Sequence, residues 1–217
     1  FYLLVNVIFK QSQPAILLFL GSAIFPWKWF TTALANASES VRKQEAVMRQ
    51  IAFPYIVLPF ASTFASVANF AFSLVPLVAL YAIYPDRLTP WALTIFPVAI
   101  VQLLWTIPAV ITLSALSVFL RDIANFIPHI LRIWFYLSPA LFPLSTLREI
   151  GSRHPWFDFF VSANPFTWIF TGYRDALYEG KAPDWGPLGI LALASIPAIL
   201  LSIYFFRRVS PLFVKVL

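Results

Sequence analysis

Between Trp91 and Leu120 the chain reads WALTIFPVAIVQLLWTIPAVITLSALSVFL, thirty residues without an aspartate, glutamate, lysine or arginine. A helix crossing a ~30 Å hydrocarbon core needs about 20 mainly apolar residues, so this stretch reads as a membrane span. Four more stretches reach the same length, at about 14–37, 55–84, 123–144 and 188–206. Transmembrane strands would alternate over ~10-residue segments. These runs are unbroken, and the fold class they predict is an all-α integral membrane protein, with residues 1–217 forming a single transmembrane domain.

Composition supports the same reading. Of the 217 residues, 60% are hydrophobic, 18% aromatic and 11% charged, whereas a soluble domain carries roughly 25% charged residues. So few charges cannot cover a soluble globule of this size, which excludes a soluble enzyme. The net charge of +6 does not form a nucleic-acid footprint, because the basic residues are scattered between apolar runs. The absence of cysteine removes thiolate nucleophiles and zinc–thiolate sites. The apolar segment Phe1–Phe9 is too short to span and lacks the basic start and cleavage site of a signal peptide. It reads as the end of a preceding span, and six spans are expected in the complete protein.

Loop charge sets the orientation. With alternating spans, one side holds Arg42, Lys43, Arg49, Arg121, Arg207, Arg208 and Lys215 against Glu39, Glu45 and Asp122, a net of +4. The other side carries six basic and six acidic residues. The basic excess marks the cytoplasmic side. The 38–54 segment and the C-terminus are therefore expected inside, and the 145–187 segment outside.

Two connections exceed what a minimal bundle needs. In the first, Ser38 or Ser40 can cap a helix of about residues 40–52 that Pro54 stops. Val41, Glu45, Met48 and Ala52 form an apolar strip on it, with Arg42, Lys43 and Arg49 on other faces. Two readings fit: an interfacial helix on anionic lipid, or a peg docking into a cytoplasmic partner with Glu45 and Met48 at the contact. The second connection carries Trp156, Phe157, Phe159, Phe160, Phe166, Trp168, Phe170 and Tyr173, too apolar for a free loop. Its apolar runs, Trp156–Ala163 and Pro165–Tyr173, are each near half a bilayer in length. Two half-inserted helices broken at Ala163-Asn164-Pro165 fit best. They form either an aromatic belt at the headgroups or an outer gate built from Trp156, Phe159, Phe160, Phe166 and Trp168.

Inside the fourth span, Arg121, Asn125, His129, Arg132 and Tyr136 step by 4, 4, 3 and 4, which is one helical face. Arg132 lies eleven residues from Arg121, about 16 Å along the axis. A charge at that depth usually faces a bundle interior or a watery cavity. It either ties helices together through backbone carbonyls or lines a pathway with His129. Trp134, Phe135 and Tyr136 either stack on passing sugar rings or pack. Lys28, between Trp27 and Trp29, reads as an anchor or a cation–π pair. The spans hold no aspartate or glutamate for a proton relay, and no glycine belongs to a phosphate-binding loop. Any energy must come from another polypeptide.

Several stretches, taken in order, resemble a known family. They are Arg49-Gln50-Ile51-Ala52-Phe53-Pro54 with Leu58-Pro59, Val118-Phe119-Leu120-Arg121-Asp122, and Leu131-Arg132-Ile133-Trp134-Phe135-Tyr136-Leu137-Ser138-Pro139. Asn164-Pro165, Tyr173-Arg174-Asp175-Ala176-Leu177, Pro183-Asp184-Trp185 and Phe206-Arg207-Arg208 complete the set. The ordered set is similar to polysaccharide-exporting ABC transporter permeases, the transmembrane subunits of O-antigen, teichoic acid and capsule exporters. The resemblance implies a six-span subunit in the bacterial inner membrane that pairs with a second copy around a channel. Two ATPase subunits bind beneath it and hold the ATP and magnesium; no cofactor belongs to this chain. It also implies a coupling helix, carrying here Arg42, Glu45, Met48 and Arg49, and two external half-helices forming the gate. Its substrate would be a lipid-linked glycan, passing His129, Arg132, Trp134, Phe135 and Tyr136 among membrane lipids. One alternative is an ABC exporter of small lipophilic drugs or lipids. A remote one is a membrane-embedded glycosyl- or acyltransferase, for which His154, Asp158, Asp175 and Asp184 are the local candidates.

Overall fold

The computed structural model describes residues 15–44, 46, 50, 53–120 and 122–213. Every regular element among them is helical. We label the helices α1 (Ile16–Ser40), α2 (Val57–Ile83), α3 (Ile95–Phe119), α4 (Ile123–Leu137), α5 (Leu144–Arg153), α6 (Pro155–Ala163), α7 (Pro165–Arg174) and α8 (Trp185–Val209). A π-helical turn, Asp175–Glu179, follows α7. Among the described residues, four helices are long and apolar enough to cross a membrane: α1, α2, α3 and α8, each with its short flanking turn where one follows or precedes.

The fourth span expected at 123–144 is corrected. α4 ends at Leu137, and fifteen residues at 1.5 Å each make it about 22 Å long. The cause is local. Ser138 precedes Pro139, whose ring disfavours helical backbone at the residue before it, and Ser138 is extended at φ −97, ψ 156.

The expected helix start at Ser38 or Ser40 is also corrected. α1 runs through both, and their hydroxyls donate backward to the carbonyls of Ala35 and Ala37. A 3-10 turn, Arg42–Gln44, follows, with Lys43 paired to Glu39. Arg42 is exposed there. Glu45, Met48 and Arg49, assigned to the coupling helix, lie outside the described residues.

α1 is the axis of the packing and touches α2, α3, α4 and α7. On one face Trp29 stacks on Phe70 at 4.5 Å and donates from its indole to Ser66. On another, Trp27 and Phe30 meet Phe166, with ring centroids at 4.9 and 4.5 Å. Every apolar helix also carries an internal proline: Pro26, Pro76, Pro108, Pro128 and Pro197. A proline removes one helical hydrogen bond and frees a carbonyl that membrane hydrocarbon cannot satisfy. The carbonyl that Pro26 frees is that of Ser22, one turn back; the amide of fully buried Gln102 donates instead to the carbonyl of Pro26 itself, at 2.8 Å. The serine and threonine hydroxyls of the spans mostly donate to carbonyls three or four residues back, as in Thr63, Thr106, Ser114, Ser117 and Ser195. That arrangement lets them lie in an apolar medium without an unpaired donor.

Candidate functional site

The site is built around α4, whose two sides differ in kind. Leu131 and Phe135 are buried, and the Phe135 ring lies 5.5 Å from Trp27 of α1. Asn125, His129, Arg132 and Tyr136 are exposed along the other side. Residues at steps of three and four share a face, whereas neighbours are turned by about 100°. For that reason Trp134, Phe135 and Tyr136, expected along the pathway, point in three different directions. Tyr136 faces out and Phe135 packs inward. Trp134 is half-buried, with its indole N–H donating to the Asn164 carbonyl oxygen at 3.1 Å.

His129 is fixed by its own helix. Its Nδ1 lies 3.0 Å from the Asn125 carbonyl, which can only accept, so Nδ1 carries a hydrogen and Nε2 points away from the backbone.

Asn164, expected only as a helix break, is a junction. Its oxygen also accepts the Phe166 N–H at 3.0 Å, capping α7, and its amide donates to the Ser138 hydroxyl at 2.8 Å. Ser138 in turn donates to the Trp134 carbonyl. This small network fastens the end of α4 to the start of α7.

The gate residues fall into two groups. On α6, Trp156, Phe159 and Phe160 are 71%, 75% and 39% exposed. On α7, Phe166 is buried in the ring cluster of Trp27, Phe30, Trp134 and Phe170. Trp168 is half-buried, with Arg148 of α5 over its ring and its indole donating to the Ser162 carbonyl.

The segment between α4 and α8 therefore holds three helices, α5 preceding the two expected. α5 and α6 approach so closely at Gly151 that a Cβ there would meet Asp158 Cβ at 2.9 Å.

Two arginines behave differently. Arg174, at the end of α7, is buried and donates to the carbonyls of Pro139, Ala140 and Phe142 at 3.0, 3.1 and 3.3 Å. Its guanidinium lies 3.8 Å over the Phe19 ring. It supplies donors to the irregular stretch after α4, where helical partners have run out. Beyond it, the π turn has its carbonyls taken by three separate elements. The Tyr81 hydroxyl donates to Leu177, Arg87 to Tyr178 and the Lys181 N–H to Asp175. Burial pushes the Asp175 carboxyl above its ordinary range, opposed by the ion pair with Lys181 at 3.3 Å.

Arg132 has no such partners. It lines a cavity of about 400 Å³ between α1 and α4, together with Lys28. Lys28 is exposed, and the cation–π pairs among the described residues are Arg87–Tyr178, Arg148–Trp168 and Arg174–Phe19. Of the two readings of Lys28, anchor or cation–π pair, the pair is not made among the described residues: both rings are buried, Trp27 at the wall of the same cavity, while Lys28 is exposed. A cation at a span centre costs about 2.5–3.5 kcal/mol on insertion-based scales. The sequence signal was available in the strip Lys28, Thr31, Thr32, Ala35, a polar and small face at helical spacing.

Among the described residues no group of three or more histidine or acidic side chains could hold a metal ion. His154, Asp158 and Asp184 are exposed and form no such cluster with Asp175. Four long apolar helices, with Lys28 of α1 and Arg132 of the short α4 lining one open cavity, are the parts of a multi-pass membrane transport protein.

Comparison with known proteins gives the family. The O-antigen export system permease protein RfbA of Myxococcus xanthus is 30% identical over 202 residues, covering 93% of this chain and 75% of the relative. Two O-antigen export system permease proteins RfbA of Klebsiella pneumoniae are 23% and 22% identical over the whole chain and 82% of their own length. No family model matches the sequence. The chain belongs to the O-antigen export permeases, polysaccharide-exporting ABC transporter subunits of the inner membrane.

Proposed function

We propose that the chain is the membrane subunit of an ATP-driven exporter that carries a lipid-linked cell-envelope polysaccharide outward, working as a pair of copies above two ATPase subunits. The observation that carries this reading is the face of α4, where Asn125, His129, Arg132 and Tyr136 stay open while Leu131 and Phe135 anchor the helix to α1. A glycan is bulky, polar and rich in C–H faces, and its path suits hydrogen-bonding groups and single rings better than fixed carboxylates. Tyr136 can stack on a sugar, and Arg132 can meet the anionic headgroup of the carrier lipid. The exposed rings of α6, Trp156, Phe159 and Phe160, belong to the proposed outer gate. Glu45 and Met48, with Arg42 and Arg49, are the proposed contact to the ATPase, and ATP and magnesium are held there.

A mild-detergent pull-down of the full-length protein, with mass spectrometry and an ATP hydrolysis assay on the eluate, tests this reading. A stoichiometric ATPase partner is expected, with transport uncoupled from hydrolysis by Glu45→Ala and Met48→Ala together. An eluate without a nucleotide-binding chain would remove the energy source and sink the proposal.

One observation favours a second reading, export of a small lipophilic compound. An apolar cavity of about 820 Å³ lies between α4 and α8, lined by Trp105, Leu116, Ile127, Trp134 and Phe205 among others. Stimulation of ATP hydrolysis by hydrophobic compounds, with none by the glycan lipid, would favour it.

A further inference from the structure

Lys28 and Arg132 lie far apart in sequence and line one cavity. Lys28 is the central residue of α1, twelve residues and about 18 Å from either end. Arg132 is nine residues, about 14 Å, into α4. Lys28 thus lies at the middle of a long apolar helix, and Arg132 shares its cavity.

The cavity has a direction. Trp27 and Phe135 meet at one end, and from them the lining runs through Thr31 and Thr32 to Ala35 on α1, and through Pro128 to Ile127 on α4. The two helices run antiparallel along it, so it extends about 12 Å from its aromatic end toward the Ser40 end of α1, the side read as cytoplasmic. No carboxylate lines it, and neither cation makes a hydrogen bond or ion pair among the described residues. His129, the partner expected for Arg132, is not in the lining.

Two like charges sharing a low-dielectric space repel each other, and each resists being placed at that depth. An anion relieves both penalties at once. We propose that the Lys28–Arg132 cavity binds the phosphate headgroup of a lipid. Arginine offers a planar fork for two phosphate oxygens and lysine a mobile point charge for the rest. The Thr32 hydroxyl is at hand on the α1 wall, that of Thr31 being committed to the Lys28 carbonyl, and Trp27, Leu131 and Phe135 form apolar walls. The apolar walls suit the chains that a lipid carries beside its phosphate, which a free phosphate ion lacks. This inference rests on the export reading and deepens it, assigning a transit station to the charged end of the carrier lipid.

Native mass spectrometry of the purified full-length permease, with the subunits that copurify, tests it without ATP or transport. The probes are phosphatidic acid, phosphatidylcholine and inorganic pyrophosphate. Phosphatidic acid is expected to be retained over phosphatidylcholine. Lys28→Gln and Arg132→Gln should each lower its retention by about tenfold or more, as loss of a charged hydrogen-bond donor predicts. Lys28→Arg should keep retention, and it serves as the test should Lys28→Gln fail to fold. Arg208→Gln, at an exposed basic position near the end of α8, should leave retention unchanged.

Equal retention of the two lipids would overturn the proposal, as would Arg208→Gln matching Lys28→Gln. Retention of pyrophosphate without phosphatidic acid would also overturn it, in favour of a soluble anion. Because no transport is measured, an export reading that failed for lack of an ATPase partner would leave this result standing on its own.

Discussion

Arg174 and Arg132 sit on short helices of ten and fifteen residues, both close to aromatic rings of α1. Arg174 is buried, with its two terminal nitrogens on three carbonyls and its plane over Phe19. Arg132 is open to a cavity, beside a second cation, with no partner among the described residues. A charge whose terminal nitrogens are held by backbone carbonyls has been absorbed into the fold. A charge held in apolar surroundings with its donors free is kept for something that comes and goes. The contrast sets Arg174, held by the fold, apart from Arg132, the residue proposed for transport, although in sequence each is an arginine in an aromatic stretch.

The comparison can be broken in several places. The largest effect is expected from Arg174→Ala, which strips three carbonyls of their donor. At about 1 kcal/mol or more for each, roughly 3 kcal/mol of stability goes, and the purified protein should show a much lower melting temperature and yield. A stable, export-deficient Arg174→Ala would instead make that residue functional.

Asn164→Ala comes next. It removes the α7 cap and the link between Trp134 and Ser138, at a cost of about 2 kcal/mol. Faster proteolysis between α4 and α7 would report it. A wild-type melting curve would mean the junction carries no weight.

Trp156→Ala with Phe159→Ala is expected to change the melting temperature least, because both rings are mostly exposed. Its effect should appear in export or in leakage of small solutes. A marked loss of stability would show that α6 is packed by something the single chain lacks.

The long helices were legible because hydrophobic runs are a local property. The four spans at 14–37, 55–84, 91–120 and 188–206 correspond to α1, α2, α3 and α8 within a few residues. The helix break before Pro165 was also local, since proline disfavours helical backbone at the residue before it, here Asn164 at φ −74, ψ 118. What escaped is relational. Arg174 reaches carbonyls 32 to 35 residues away, and Asn164 reaches Trp134 across 30, contacts that leave no periodic trace. The early end of α4 could have been read from Ser138-Pro139, but the apolar residues beyond it carried the hydrophobic signal onward. Lys28 was misread through its neighbours. Two flanking tryptophans suggested a cation–π pair, whereas on a helix the residues on either side point elsewhere.

The central claim is that Arg132 serves transport and not the fold. The most direct measurement is glycan export by reconstituted complexes carrying Arg132→Ala, with ATPase subunit content and melting temperature measured on the same samples. The account predicts export lowered by about tenfold or more, as for a charged partner removed, in complexes of unchanged composition and stability. Export that survives, or falls only in step with loss of the assembled complex, would contradict it.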